Sequence, residues 1–309
     1  MIIWVTGANG FIGRHLVREL AGAGHAVHGV GHGALDAAEA GRLGLLTWIN
    51  GEIDAANLNA LAAHGRPTQI FHLAGGSSVG VSIEHPFEDF SRTVTSTARL
   101  LEWLRGSAPD CALIAASSAA VYGADHVGPI PEIAVPTPMS PYGQHKLMME
   151  QLCQSYARTF GLSCTIVRLF SVYGPNLRKQ LLWDICSRLK AQSEALHLGG
   201  TGGEIRDWTD VRDVARLMTG FTATSPEHAF RIVNGGSGRG TSVADIADGL
   251  VRHWGSNTVV HYSGVGRPGD PASLLADDNR LRHSGFDWRI PLDRGLADYV
   301  AWFKGQARG

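Results

Sequence analysis

Eight residues near the amino terminus, Thr6-Gly7-Ala8-Asn9-Gly10-Phe11-Ile12-Gly13, constrain this chain more than any other stretch. They follow the apolar run Ile2-Ile3-Trp4-Val5 and open a helical pattern over 11–22. Glycine permits a tight turn and lets backbone N–H groups approach a ligand closely, while a helix N-terminus favours negative charge. The segment reads as a phosphate cradle for a dinucleotide, formed by Gly7, Asn9, Gly10, Phe11, Ile12 and Gly13. Its glycines are spaced three and three, where the commoner fingerprint has two and three.

A cradle of this kind implies alternating strands and helices, and the first 170 residues alternate in that way. Short, nearly unbroken apolar runs stand at 2–6, 26–30, 44–49, 69–74, 111–117 and 163–169. Such runs suit parallel strands covered on both faces. Helical patterns fill the gaps at 11–22, 55–64, 87–105 and 140–160. Strand–helix alternation with right-handed crossovers predicts an α/β fold, a doubly wound parallel sheet of the Rossmann type. Beyond about residue 175 the pattern changes to helices at 179–192, 211–223, 242–254 and 292–303. Short strands near 196–199, 230–234 and 258–262 lie between Gly-rich turns. The expected organisation is a dinucleotide-binding domain over 1–175 and a smaller substrate-binding lobe over 176–309, with some segments returning to the first domain.

Composition narrows the setting. With 27 basic and 28 acidic residues the formal charge is -1, so no overall field favours nucleic acid or acidic lipid. The four cysteines, Cys111, Cys153, Cys164 and Cys186, form no C-x-x-C pair. That argues against a disulfide framework or a structural zinc site and for a reducing compartment. No run is long and apolar enough to span a bilayer. A cytoplasmic protein without membrane or nucleic-acid partners is expected. His25, His28 and His32 do not read as a metal site, because residues 25 and 28 face opposite sides of a strand.

In dinucleotide-binding folds an acid at the end of the second strand commonly holds the adenosine ribose. Here the chain reads Val27-His28-Gly29-Val30-Gly31-His32-Gly33, with no carboxylate. Gly31 leaves room for a 2′-phosphate and His32 or Arg14 could partner it, so NAD or NADP fits, with a slight lean to NADP. Glu52 and Ile53, after the third strand, are placed to flank the adenine. Leu73, Ala74 and Gly75 end the fourth strand beneath the ribose. Ala116 and Ser117 on the fifth strand, and Phe170 after the sixth, complete the candidate cofactor contacts.

The chemistry points to Tyr142-Gly-Gln-His-Lys146. Tyrosine and lysine four apart at a helix start share one face. A free phenol ionises near ~10, too high for a base at neutral pH. A neighbouring ammonium, aided by a positive nicotinamide ring, favours the phenolate, and the lysine can also bind the cofactor ribose. Upstream, Ala116-Ser117-Ser118-Ala119-Ala120 ends the fifth strand at the sheet edge where ligands bind. Ser118 is the candidate to hydrogen-bond the reacting oxygen, with Ser117 as its competitor.

Taken together, TGANGFIGRHL, HLAG, SSAAVYG, SPYGQHK, RLFSVYGP, IRDWTDVRDVA and GRPGDP resemble, in order and over nearly the whole length, the extended short-chain dehydrogenases/reductases of the nucleotide-sugar epimerase/dehydratase group. The resemblance implies a catalytic triad of Ser118, Tyr142 and Lys146. It implies that Arg206 and Arg267 hold a nucleotide diphosphate, a task suited to two converging guanidiniums, unless they only pair with Asp207 and Asp270 at the surface. Ser171 stands where relatives often carry Asn and would shape the sugar pocket. Arg178 would lie near the nucleotide. Thr93 stands at another frequent Asn position. Sugar 4,6-dehydratases of the group carry an Asp-Glu pair after the catalytic hydroxyl; Ala119-Ala120 cannot move protons, so dehydration is excluded.

The leading expectation is an NAD(P)-dependent nucleoside-diphosphate-sugar 4-epimerase working through a transient 4-keto sugar. The alternative is an NADPH-dependent 4-ketoreductase of a 4-keto-6-deoxy nucleotide sugar. A catalytically idle scaffold or redox sensor is a third class, disfavoured because such relatives generally lose the tyrosine or lysine. Helices 87–105 and 140–160 resemble the pair through which the family dimerises, so a homodimer is expected.

Overall fold

A computed structural model describes residues 1–223, 229–266 and 270–306. The chain divides into two compact units, one formed by 1–122, 135–169 and 214–233, the other by 123–134, 170–213 and 234–309.

The first unit is organised on a seven-stranded sheet: β1 (Ile2–Thr6), β2 (Ala26–Gly31), β3 (Leu45–Asn50), β4 (Gln69–His72), β5 (Ala112–Ser118), β6 (Cys164–Leu169) and β7 (Phe230–Gly235). Its spatial order is β7-β6-β5-β4-β1-β2-β3, with parallel pairing from β3 across to β6. The run at 230–234, expected among the strands of the smaller lobe, is the seventh strand of this sheet. Its apolar pattern could not say which strand it joins; Cys164 N donating to Ala229 O at 2.7 Å starts it beside β6.

The inner strands are buried as parallel strands demand, β6 along its whole length, while β3 at the sheet edge is largely part-exposed. Trp4, Ile70, Leu113 and Ile166 from the sheet meet Leu100, Leu101, Leu104, Met149 and Cys153 from helices in one core. Trp4 and Trp103 pack with ring centroids 5.1 Å apart. All four cysteines are buried and free. The strand order reverses between β1 and β4, the crevice where doubly wound sheets bind ligands. Gly7, after β1, lies there against the backbone of Leu73 and Ala74, after β4.

The pattern expected as one helix over 87–105 is a longer run with a defect. Helices Pro86–Phe90 and Ser96–Ser107 flank a π-helical turn at Ser91–Thr95. Ser96 Oγ donates to Arg92 O at 2.5 Å and Thr97 Oγ1 to Thr93 O at 2.6 Å. Helix Pro141–Phe160 begins as its sequence predicts: Ser140 Oγ accepts from Gly143 N at 3.2 Å, Pro141 takes the first position, and Gly161 (φ 73°) ends it.

In the second unit, strand Ile205–Asp210 is central. It pairs with Gly240–Ser242, Ser273–Ala276 and Ser171–Tyr173. Strands Ala195–Leu198 and Val259–Tyr262 form a separate parallel pair. Among the described residues no helix is long and apolar enough to cross a membrane.

Candidate active site

The glycine turn has the shape a pyrophosphate requires. Gly7 adopts φ 70°, and Gly10 N donates to Gly7 O at 2.9 Å. A Cβ on Gly13 would overlap the Gly7 carbonyl, so the first turn of helix Phe11–Gly22 packs directly on the loop. Gly10 caps that helix without a side chain, leaving its first N–H groups facing outward for an anion. Asn9 is tied down from two sides: Arg14 Nη2 donates to its Oδ1 at 2.5 Å and Arg14 Nε to its carbonyl at 3.1 Å. These residues fit a dinucleotide.

At the adenosine end the structure corrects one expectation. His32 Nε2 lies 3.3 Å from Glu52 Oε1, with both side chains more than half exposed. Arg14 is committed to Asn9. Neither proposed partner of a 2′-phosphate is therefore poised for one, and the Glu52 carboxylate would repel it. Ile53 is buried in the core. Ala74 N donates to Thr6 Oγ1 at 3.2 Å, which fixes the end of β4.

Ser118, Tyr142 and Lys146 come together in the first unit. Ser118 ends β5, its hydroxyl accepting from Ala120 N at 3.1 Å and acting on the Tyr142 phenol to favour its ionised form. Tyr142 is placed by its backbone, whose N–H donates to buried Ser82 Oγ at 3.0 Å. The Lys146 amine donates to Ala116 O at 3.0 Å and lies 5.9 Å from the centre of the Tyr142 ring. Lys146 Nζ and Thr93 Oγ1 both flank Gly75, and Thr93 Oγ1 accepts from Gly76 N at 2.8 Å. Of the two serines, Ser117 points away: its hydroxyl donates to Glu150 Oε1 at 2.5 Å and it is buried.

The surroundings that the chain itself provides favour the protonated phenol. Burial pushes the Tyr142 phenol above its ordinary value, the Ser118 hydrogen bond partly opposes this, and the Asp89 carboxylate adds to the rise. An additional positive charge beside the ring is what would reverse the direction.

Several residues around the site carried no sequence signal. Asp89 Oδ2 and His145 Nδ1 are 2.6 Å apart, with 3% and 12% of the side chains exposed. His72 bridges Thr6 Oγ1 (2.7 Å) and Thr97 Oγ1 (2.9 Å) in full burial, which holds it neutral and depresses its pKa to about 3; the Lys146 charge contributes second. Such pairs join residues far apart in sequence, and no spacing rule exposes them.

The other candidates belong to the second unit. Phe170 is buried against Gly236. Ser171 pairs in register with Trp208, on the strand that carries Arg206. The Arg206 side chain is 13% exposed; Nη1 donates to the Ile205 carbonyl at 2.9 Å and Nη2 lies 3.4 Å from the half-exposed Asp270. Burial lowers its pKa, with Asp270 partly offsetting the effect. Asp207 is not its partner: that carboxylate is fully buried and accepts from Ser237 N (2.9 Å), Ser237 Oγ (2.6 Å) and Gly238 N (2.8 Å). Arg178 Nη2 donates to Gln306 Oε1 at 2.5 Å, with its guanidinium 5.9 Å over Trp302. Arg267 lies outside the described residues.

The profile of the NAD dependent epimerase/dehydratase family matches residues 3–234, three quarters of the chain. The chain belongs to that family. It has relatives of known structure over nearly its full length. MoeE5, solved in complex with UDP-glucuronic acid and NAD, is 31% identical, with 99% of this chain and 100% of that one covered and a TM-score of 0.88. The UDP-glucuronic acid 4-epimerase of Bacillus cereus, in complex with UDP-glucuronic acid and NAD, is 27% identical over 99% and 100% of the two chains, with a TM-score of 0.89. The UDP-glucose 4-epimerase of Erwinia amylovora is 29% identical over 100% of this chain and 99% of its own. Both of these solved relatives hold NAD, which gives no support to the lean towards NADP.

Proposed function

We propose that this family member is an NAD-dependent nucleotide-sugar 4-epimerase acting on a UDP-hexose or UDP-hexuronate. The observation that carries the reading is the Ser118–Tyr142–Lys146 cluster, beside a glycine turn shaped for pyrophosphate, in a chain whose full-length relatives include UDP-sugar 4-epimerases. The dinucleotide would be held by Gly7, Asn9, Gly10, Phe11, Ile12 and Gly13 at its phosphates, and by Lys146 at a ribose. When bound, it supplies the chemistry of accepting a hydride from a sugar carbon and giving it back.

The protein's own groups handle the proton. Tyr142 Oη takes the proton of the sugar C4 hydroxyl and later returns one, acting as base and then as acid. Ser118 Oγ holds the same oxygen, keeping it in line with the phenol. Lys146 stabilises the phenolate by charge and fixes the tyrosine one helical turn away. In the second unit, Arg206 is assigned to the diphosphate: it is shielded, loosely paired, and offers a planar donor array suited to phosphate oxygens. Ser171 is assigned to the sugar pocket. A homodimer is part of the proposal, and light scattering tests it.

The test is direct. Purified protein is incubated with UDP-glucose, UDP-galactose, UDP-glucuronate and UDP-galacturonate, and the C4 epimers are resolved by proton NMR. Interconversion without net consumption of added NADH or NADPH is expected. Stoichiometric oxidation of NADPH by a 4-keto sugar nucleotide would instead establish a reductase.

A further inference from the structure

The catalytic helix carries a second polar group on the face that holds Tyr142 and Lys146. His145 stands one turn after Tyr142, and its Nδ1 meets Asp89 Oδ2 at 2.6 Å. The carboxylate is nine-tenths and more buried. It comes from helix Pro86–Phe90 and packs so tightly on Gly76 that a Cβ there would overlap its oxygen. Gly76 N is held by Thr93 Oγ1, and the adjoining Gly75 is flanked by Thr93 and Lys146. Phe90 closes the other side, its ring edge-on to the imidazole at 5.4 Å. Burying a carboxylate is costly unless a partner compensates, so a buried acid beside an acid–base phenol calls for a role.

We propose that Asp89, held in place by His145, is the negative charge facing the Tyr142 phenol, and that the pair is a positioning device setting the pH at which that phenol ionises. The inference deepens the proposed function and rests on Tyr142 being the acid–base group. The Asp89–His145 contact fixes the carboxylate against the catalytic helix one turn from Tyr142, where its charge opposes loss of the phenol proton. The remaining charges on the packed elements are accounted for. Lys146, on the same helix, bonds Ala116 O. Glu88 and Arg92 pair with each other, half-exposed. Glu84 and His85 are exposed at the junction of the short helices. Glu150 is engaged by Arg168. Asp89 is the carboxylate left to oppose the phenolate. The consequence is a tyrosine kept protonated until positive charge arrives beside it.

The test needs no turnover. Tyrosines are replaced biosynthetically by a difluorotyrosine, whose phenol ionises in the neutral range, and the fluorine resonance of position 142 is assigned by its loss in Tyr142→Phe. Its ionisation midpoint is then followed by NMR in wild type, Asp89→Asn, His145→Gln and the double variant. Asp89→Asn is expected to lower the midpoint by about one pH unit. His145→Gln, which keeps a donor but leaves the carboxylate, is expected to hold it at or above the wild-type value. The double variant replaces the pair by two hydrogen-bonding amides; it is expected to behave as Asp89→Asn, and it carries the test if a single variant fails to fold. A midpoint unchanged in Asp89→Asn or in the double variant would overturn the proposal. Because the resonance reports ionisation whatever the substrate, a failure to epimerise UDP-sugars would count against the proposed function alone.

Discussion

Arg168 grips Glu150 through two bonds, Nε to Oε1 at 3.0 Å and Nη2 to Oε2 at 2.6 Å, with almost nothing of either side chain exposed. The pair ties helix Pro141–Phe160 to β6, two turns beyond Tyr142. Ser117 Oγ adds a third bond to the carboxylate, and the Tyr122 ring lies 4.7 Å beneath the guanidinium. This cluster anchors the helix bearing Tyr142 and Lys146 to the sheet. Replacing Glu150 by Ala strands a buried guanidinium and is expected to cost about 3–5 kcal/mol, read from the shift of the urea unfolding midpoint. A loss below ~1 kcal/mol would mean the pair contributes little.

Tyr142→Phe removes the proton donor and acceptor and leaves the ring. Epimerisation should fall by about 10²–10⁴-fold while dinucleotide binding, followed by fluorescence quenching, stays close to wild type. Ser118→Ala should fall less, since it removes one hydrogen bond to the reacting oxygen.

Gly13→Ala is expected to disrupt the cradle, because its Cβ would overlap the Gly7 carbonyl in a rigid turn. Isothermal titration should show NAD affinity lost or reduced at least tenfold. Gly22→Ala, in the same helix but facing open space, serves as the control and should bind normally.

His72 predicts a pH dependence of stability. Its pKa falls from 6.5 to about 3 on folding, so between these values the unfolded chain holds a proton that the native state does not. Stability contributed by this group is complete above pH 6.5 and is lost as the pH falls towards 3, at about 1.4 kcal/mol per unit. His72→Gln should flatten that slope in urea titrations between pH 6.5 and 4. An unchanged slope would show that other groups govern it.

Arg206→Ala should raise KM for the nucleotide sugar by about 10–100-fold with a smaller effect on kcat, the pattern of lost ground-state binding. If kcat falls while KM holds, the guanidinium acts on the reacting centre instead.

Local periodicity accounts for what could be read from the residues alone. A strand, three glycines and a helix in succession imply the cradle, and a four-residue step places Tyr142 and Lys146 on one face, because helix geometry is set by near neighbours. The same reasoning named Ser118 but left Ser117 beside it as a competitor, since adjacent residues on a strand differ in which face they occupy. Folding separates them: Ser117 is claimed by Glu150, 33 residues on. Asp89 meets His145 across 56 residues, Thr6 meets His72 across 66, and Asp207 turns from its neighbour Arg206 to Ser237, 30 residues away. The placement of 230–235 beside β6, and the burial that raises the Tyr142 phenol, belong with them. Each depends on which strands and helices become neighbours, a property of the packed chain as a whole, and so the fold class and the candidate reacting groups are legible locally while the charges packed around them are not.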